Sequence, residues 1–296
     1  MKEKTNFGTA VSRDVLRSGM ALHPLIEEWA LWQLSARRSL KTVAERARVI
    51  QQFIDEAGVD PLQAGPLDVV RWTAAHTGWS DSTAATYHSY LSSWHTWLCL
   101  TDRRADNPMR KLASPRRPER APRPVADGAL RTLLTMRMHH RTRVMVMLAA
   151  LAGLRVGEIA KVRGEDIDLD GRRIFVVGKG KKRAWVPLHP LLVEAAATMP
   201  ARDWWFPGNA RRPGEPCHGK SVSDILGQAM RRAGITGTPH SLRHWYASTL
   251  LDDGADLRTV QELLRHTSIQ TTQVYTRVRD ERRVLAVDRL DPFRAA

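Results

Sequence analysis

The chain has 296 residues, of which 43% are hydrophobic, so it is long enough for about two domains that each bury a core. Lysine and arginine outnumber aspartate and glutamate by 46 to 31, which leaves a formal net charge of +15 at pH 7. This excess favours a partner that carries phosphate groups. The longest mostly apolar run, Val144 to Leu154, is too short for a membrane span, which needs about 18 apolar residues.

The amino-terminal residues lack the apolar stretch of a secretion signal, and two cysteines are too few for a disulfide framework. We therefore expect a reducing, cytoplasmic location and no membrane partner.

The positive charge is concentrated in the second part of the chain. Residues 1–112 carry 14 basic and 12 acidic side chains, whereas residues 113–296 carry 32 and 19. Between the two parts, PRRPERAPRP contains four prolines and four arginines, a composition that favours extended backbone. Extended, these ten residues would reach about 30 Å and could pass around a DNA duplex; a tether without contacts is the alternative. The predicted segments are a flexible tail at 1–20, a domain at 21–112, a linker at 113–124 and a second domain at 125–296.

The first domain has the periodicity of a small all-α bundle. In SLKTVAERARVIQQFIDEAG, Ser39 can cap a helix whose apolar residues recur at spacings of three and four, and Gly58 follows its end. A second helix is predicted at 81–100, where aromatic and leucine side chains form a stripe that we assign to core packing. Further helices at 25–34 and 67–75 complete the bundle.

The second domain is predicted to combine helices with a small antiparallel sheet. Asp127 can cap a helix that runs to Met138, and a mostly apolar helix then ends near Gly153. Alternating and β-branched residues predict strands at 167–169, 174–177 and 183–188. Helical patterns resume at 190–198, 221–233, 241–252, 257–265 and 269–277. The expected fold class is thus mostly α with a small antiparallel β-sheet: an all-α domain followed by a mixed α/β domain.

Neither a metal nor a nucleotide cofactor is expected. The aspartates and glycine at 166–171 match the opening of a calcium-binding loop, but its twelfth position is Val177, where a glutamate is required. Cys217 and His218 have no partners at zinc-ligand spacing. The sequence also lacks a GxxxxGK[ST] phosphate loop.

Six residues of the second domain supply the groups needed to attack a phosphodiester. Two arginines can each donate paired hydrogen bonds to phosphate oxygens, and losing one such donor typically costs about 3 to 4 kcal/mol of transition-state stabilisation. Tyrosine, with a pKa near 10, needs a base or nearby cations to become a nucleophile, and a lysine can protonate the leaving oxygen. The six are Arg155 in GLRVGEIA, Lys179 in VGKGKK, His240 and Arg243 in TPHSLRH, His266 in LLRHTS, and Tyr275 in TTQVYT.

Two further points bear on this set. His240 and Arg243 are three residues apart, so they would project from one face if both begin the same helix. Tyr246 is the rival nucleophile, and we interpret it as a packing residue.

The order Arg, Lys, His-x-x-Arg, His, Tyr resembles that of the tyrosine recombinase family, which includes phage integrases and Xer recombinases. The spacing is 23 residues from Arg243 to His266 and nine from His266 to Tyr275. The strongest stretches are GLRVGEIA and TPHSLRHWYASTLLDDGADLRTVQELLRHTSIQTTQVYT. The resemblance covers nearly the whole chain, because an all-α core-binding domain, a linker and a mixed α/β catalytic domain are also that family's plan.

The resemblance implies a role for each matching residue. Tyr275 would attack the scissile phosphate, form a 3′-phosphotyrosyl link and free a 5′-hydroxyl. Because bond energy is retained in that link, neither ATP nor a metal would be needed. The other implied roles are phosphate binding by Arg155 and Arg243, general acid for Lys179, general base for His240 and a further phosphate hydrogen bond from His266.

Two further positions, close in sequence to these residues, bear on the resemblance. Glu158, one turn after Arg155, resembles the family's acid that orients the active-site groups. Arg265 departs from the pattern, since the family usually has glycine before the second histidine. If Arg265 ends a helix in the left-handed conformation, it costs about 1 kcal/mol relative to glycine. We expect the guanidinium of Arg265 to contact DNA.

The implied partners are double-stranded DNA attachment or recombination sites, bound by a homotetramer. The segment at 282–290 could dock on a neighbouring copy, or pack on its own domain. Since only about twenty residues precede the first predicted helix, we expect a compact phage-type integrase without an arm-binding domain. The alternatives are an Xer-like resolvase, a type IB topoisomerase and a DNA-binding module without catalysis.

Overall fold

The computed structural model describes residues 22–116, 123–178, 183–210 and 213–265. The chain divides into two compact units, residues 1–119 and 120–296. This division falls within the segment for which the sequence predicts a linker. The predicted tail at 1–20, the helix at 269–277 and the segment at 282–290 lie outside the described residues.

The described part of the amino-terminal unit is helical, as predicted. The helix at Leu40–Ala57 begins after Ser39, whose hydroxyl accepts a hydrogen bond from the backbone N–H of Thr42 at 3.2 Å. It ends at Gly58, which takes the left-handed conformation with φ of 61°. Both predicted helix ends are therefore confirmed. The elements are α1 (Pro24–Ser35), α2 (Leu40–Ala57), α3 (Pro66–Ala75), α4 (Asp81–Leu100) and a 3-10 turn at Pro108–Lys111.

Aromatic rings fill the core of this unit. The rings of Trp29 and Trp94 meet edge to face at 5.3 Å between centroids, and Phe53 meets Trp72 at 5.2 Å. All four side chains are buried. The aromatic stripe of α4 is confirmed as core, and each such buried side chain contributes about 1.5–3 kcal/mol through the apolar surface removed from water.

The described carboxyl-terminal unit combines helices with an antiparallel sheet in the order β1-β2-β3, which confirms the predicted fold class. Ile174 and Val176 point into the core from β2, while Phe175 pairs with Trp185 across to β3. The strands are β1 (Ile167–Asp168), β2 (Arg173–Val177) and β3 (Arg183–Pro187). The helices are α5 (Asp127–Thr135), α6 (His140–Leu151), α7 (Val156–Ile159), α8 (Pro190–Ala196), α9 (Gly219–Arg232), α10 (His240–Asp252) and α11 (Leu257–Leu263).

The prediction that Asp127 caps α5 is wrong. Ala126 occupies the N-cap position, and the Asp127 carboxylate instead accepts a hydrogen bond from Trp245 Nε1 at 2.6 Å. The helix also ends at Thr135, three residues before the predicted Met138.

The aspartate-rich stretch before β2 forms a turn. Asp168 accepts hydrogen bonds from the backbone N–H of Gly171 at 2.8 Å and from Arg173 Nε at 2.7 Å. Its carboxylate thus supports the β1–β2 connection. Among the described residues, no group of three or more His, Cys, Asp or Glu side chains is placed to hold a metal ion.

The apolar run at 144–154 belongs mainly to α6, where Val144 to Ala150 are all buried in the core of this unit. In the parts of the chain that the structure describes, no helix has both the length and the apolar character of a membrane span. The run is therefore a core helix, and it brings Gly153 to the site described next.

Candidate active site

A sharp change of direction after α6 positions the first site arginine. Gly153 has a φ of 58°, in the left-handed region, and Leu154 N–H donates back to the carbonyl of Leu148 at 3.0 Å. A Cβ atom on Gly153 would lie 2.6 Å from a ring carbon of Tyr246, so both the backbone conformation and the packing require glycine. This turn places Arg155 at the N-cap position of α7.

Arg155 and Glu158 hold one another at the start of α7. The Arg155 backbone N–H donates to Glu158 Oε2 and its Nη1 donates to Oε1, both at 2.9 Å. The Glu158 side chain is only 5% exposed, whereas that of Arg155 is 35% exposed. A buried carboxylate thus fixes a partly exposed guanidinium.

The second arginine comes from the start of α10. His240 is the first residue of this helix and Arg243 lies one turn later, as the spacing predicts for residues at the start of one helix. The Arg243 side chain is fully buried, and its guanidinium donates hydrogen bonds to the backbone carbonyls of Gly153 and Leu264. Two carbonyl groups therefore fix its orientation.

The two guanidinium groups converge on one oxygen atom. Arg155 Nη2 lies 3.4 Å from the carbonyl oxygen of Leu264, the same oxygen that accepts a hydrogen bond from Arg243 Nη2. A phosphate oxygen is a stronger acceptor than a carbonyl oxygen, because charged partners make shorter and stronger hydrogen bonds. Arg155 and Arg243 are thus close enough to bind a single phosphate group.

Arg265, for which the sequence suggests a DNA contact, joins this cluster through contacts within the protein. It has a left-handed φ of 55° just after α11, but its side chain is only 11% exposed. Its Nη2 lies 2.7 Å from Glu158 Oε2 and 3.3 Å from the Gly153 carbonyl, and its Nη1 donates to the Leu263 carbonyl at 2.9 Å. The left-handed backbone at this position costs about 1 kcal/mol relative to glycine.

Burial and neighbouring charges together shift the pKa values of this site. Burial alone would raise the pKa of Glu158, but Arg265, the Arg155 backbone N–H and the guanidiniums of Arg155 and Arg243 together hold that pKa below its usual value. The pKa of His240 is also lowered, first by lost hydration and then by Arg243 and Arg155. The His240 ring is therefore neutral at pH 7 and able to accept a proton.

Sequence reasoning missed His244. Its ring meets that of His240 edge to face, with 4.5 Å between centroids. Burial, then His240 and Arg243, lower the pKa of His244 to about 4. The spacing of four residues on a helix is the signal that could have identified this contact.

Tyr246 packs within the domain, as interpreted from the sequence. Its ring lies against Gly153 and beside the small apolar cluster of Ala247, Val260 and Leu264. Burial raises the pKa of its phenol, which makes Tyr246 a poor nucleophile.

The other three predicted site residues, Lys179, His266 and Tyr275, lie outside the described residues. Lys179 belongs to the segment that connects β2 to β3, and His266 directly follows Arg265 in the sequence. The structure therefore brings together Arg155, His240 and Arg243 of the six.

Comparison with known proteins identifies the family of this chain. Residues 129–282, more than half of the chain, match the phage integrase family. Tyrosine recombinase XerA of Pyrococcus furiosus is 30% identical, over 90% of this chain and 93% of that protein.

Solved structures are also similar. The integrase from mycobacterium phage Brujita shares 44% identity, with 92% of this chain and 94% of that chain covered and a TM-score of 0.49. A lambda integrase dimer bound to a COC′ core site has the same fold, with a TM-score of 0.69 at 19% identity over 86% of this chain and 77% of that one. The family match and the relationship to XerA show that this chain belongs to the tyrosine recombinase (phage integrase) family and is a DNA breaking-and-rejoining enzyme.

Proposed function

We propose that this enzyme is a site-specific recombinase that cuts and rejoins double-stranded DNA through a 3′-phosphotyrosyl link to Tyr275. The observation that supports this most directly is the convergence of Arg155 and Arg243 on the carbonyl oxygen of Leu264. In the DNA complex, one phosphate group would accept hydrogen bonds from both of these guanidinium groups. His266 would supply a further hydrogen bond to the same phosphate.

The proposed chemistry is a transesterification. The phenolic oxygen of Tyr275 attacks the phosphorus atom while the bond from phosphorus to the 5′-oxygen breaks. His240 accepts the phenolic proton and Lys179 donates a proton to the departing 5′-oxygen, so that the reaction leaves a free 5′-hydroxyl. Religation runs the same step backwards, with a 5′-hydroxyl as the nucleophile.

The described geometry suits this reaction because its cations are already oriented. Glu158 fixes Arg155, and the carbonyls of Gly153 and Leu264 fix Arg243. Donors that are oriented before the reaction stabilise developing negative charge without the cost of reorganisation.

We further propose that the enzyme acts as a homotetramer on two DNA sites in the cytoplasm and serves as a phage-type integrase. Xer-like resolution of chromosome or plasmid dimers is the alternative, since the same chemistry serves both roles. Most of the net positive charge lies in residues 113–296, which supports contact between the catalytic unit and the DNA backbone.

Trapping on a nicked suicide duplex tests the chemistry. After cleavage the short strand beside the nick diffuses away, so the covalent protein–DNA adduct accumulates. We expect an adduct from the wild type and from Tyr246→Phe, which retains the predicted nucleophile. Tyr275→Phe should form none. Absence of an adduct from the wild type, or its persistence in Tyr275→Phe, would refute the proposed mechanism.

Plasmids that carry DNA from the flanks of the gene distinguish the roles. Exchange between two different sites on separate plasmids would support integration. Exchange only between two copies of one site would support an Xer-like resolvase, and relaxation without recombinants would support a topoisomerase.

A further inference from the structure

Arg265 contacts three parts of the site that surrounds Arg155 and Arg243, yet the proposed chemistry gives it no role. Its guanidinium contacts the Glu158 carboxylate, the Gly153 carbonyl and the Leu263 carbonyl. Glu158 belongs to α7, Gly153 to the turn before that helix, and Leu263 to the end of α11. One side chain therefore ties the end of α11 to the segment that carries the first site arginine.

The position of Arg265 in the chain gives these contacts a consequence. The residue before it, Leu264, supplies the carbonyl oxygen on which Arg155 and Arg243 converge. The residue after it is His266, which is proposed to donate a hydrogen bond to the phosphate. Any shift of Arg265 would therefore move the Leu264 carbonyl, which contacts both Arg155 and Arg243. It would also move the backbone directly before His266.

The same contacts also affect the Glu158 carboxylate. Glu158 Oε2 accepts hydrogen bonds from the Arg155 backbone and from Arg265, while Oε1 accepts from the Arg155 guanidinium. Among the interactions that oppose burial and keep this carboxyl ionised, the charge of Arg265 is the largest, followed by the Arg155 backbone N–H and the charges of Arg155 and Arg243. Ionised Glu158 in turn orients Arg155.

We infer that Arg265 is a positioning residue for DNA cleavage: by pairing with Glu158 it holds the Leu264 carbonyl in register with Arg155 and Arg243. This inference rests on the proposed function. Arg265 acts through these neighbours and does not itself bind the phosphate.

The test compares Arg265→Met with wild-type protein in the full-length chain. Arg258→Met is the matched control, because Arg258 lies on α11, which ends just before Arg265, and forms an exposed ion pair with Glu262 at 2.7 Å. Two quantities are measured for each protein: the rate of adduct formation on the nicked duplex with all DNA bound, and the Kd for intact duplex, determined in a Tyr275→Phe background. Wild-type adduct formation is established first, so that failure of the proposed function is distinguished from failure of this inference.

Arg265→Met should slow adduct formation about 100-fold, the loss expected when catalytic groups are misplaced by about 1 Å. Its Kd for duplex should stay within about threefold of wild type, because a buried guanidinium adds little to the charge that DNA meets. Arg258→Met should change neither quantity.

The pH profile separates positioning from general stabilisation. Without Arg265 the pKa of buried Glu158 rises, so adduct formation by Arg265→Met should begin to fall at a higher pH than that of wild type, as Glu158 loses its charge. Arg265→Lys retains the positive charge and should restore both the wild-type pH profile and most of the rate.

Three outcomes would overturn the inference. A wild-type rate and pH profile for Arg265→Met would show that the residue only packs. A Kd weakened more than about tenfold with an unchanged rate from the bound state would make Arg265 a DNA ligand. If Arg265→Met does not fold, Arg265→Gly replaces it, since glycine suits the left-handed backbone; a wild-type rate and pH profile for that variant would be equally contradictory.

Discussion

Two ion pairs, one in each unit, have the same sequence spacing and the same length but different surroundings. Arg48 and Glu45 on α2 lie three residues apart with an N–O distance of 2.9 Å, as do Arg155 and Glu158 at α7. The Glu45 side chain is 47% exposed, whereas that of Glu158 is 5% exposed. Spacing and distance alone therefore do not reveal what a pair contributes.

Burial changes what each pair can do. Water can replace the partner of an exposed carboxylate at little cost, but a buried carboxylate that loses its partner keeps an uncompensated charge. The amino-terminal unit fills its core with aromatic rings, whereas the carboxyl-terminal unit buries Glu158 and Arg243 among apolar side chains. Burying charge in this way costs free energy of folding. In this unit the buried charges orient the groups of the proposed chemistry.

The largest expected effect on stability comes from the buried pair. Glu158→Gln should lower the free energy of unfolding of the carboxyl-terminal unit by about 3 kcal/mol, because Arg155 and Arg265 lose their shared counter-charge. Hydrogen exchange of backbone amides in the full-length protein measures this loss, with the amides of the amino-terminal unit as an internal control. A change below about 1 kcal/mol would contradict the importance given to burial.

The turn at Gly153 should be nearly as sensitive. Gly153→Ala forces a side chain into a left-handed backbone and against the Tyr246 ring, so we expect a loss of about 2–4 kcal/mol. Gly234→Ala is the matched control, because Gly234 has a φ of 70° but open space around the missing Cβ, and it should cost only about 1 kcal/mol. Equal losses for the two variants would show that the contact with Tyr246 is unimportant.

A buried histidine makes the amino-terminal unit sensitive to acid. His95 lies in α4 with both ring nitrogens buried and without hydrogen-bond partners among the described residues. Burial, then the charge of Arg104, lower its pKa to about 4 from the usual 6.5. The unfolded chain therefore binds a proton first, so stability is lost as the pH falls from about 6.5 to 4.

Between pH 7 and 4, wild type should lose about 3 kcal/mol more stability than His95→Leu, from 1.36 kcal/mol per pKa unit. At pH 7 the variant should be about 1 kcal/mol more stable, because it buries no polar nitrogen. Hydrogen exchange in α4 across this pH range measures both. If the stability of the two proteins fell in parallel as the pH is lowered, the low pKa assigned to His95 would be contradicted.

The smallest effect should come from the exposed pair. Glu45→Gln should change the free energy of unfolding by less than about 0.5 kcal/mol, since both side chains are about half exposed. A loss comparable to that of Glu158→Gln would remove the distinction between the two pairs.

Much of the fold is readable from the sequence because its signals are local. Ser39 and Gly58 mark the ends of α2 through a cap and a left-handed glycine, and β-branched and aromatic residues mark β2. The predicted cap at the start of α5 is wrong because Asp127 is a good capping residue by type but accepts a hydrogen bond from Trp245, which is distant in sequence.

The site is readable in part for the same reason. The side-chain motif identified Arg155, His240 and Arg243, but the atoms that hold them include backbone carbonyls of Gly153 and Leu264, which no residue pattern displays. The direction of a long side chain such as Arg265 is likewise set by tertiary contacts.

The central claim is that Arg155 and Arg243 act on one phosphate group. The rate of adduct formation on DNA-bound nicked duplex tests it most directly, for Arg155→Lys, Arg243→Lys and the double variant. Each single change should slow the reaction about 100- to 1,000-fold, and the double variant should lose much less than the product of the two, because both groups serve the same transition state. Adduct formation at the wild-type rate by either single variant would contradict the account.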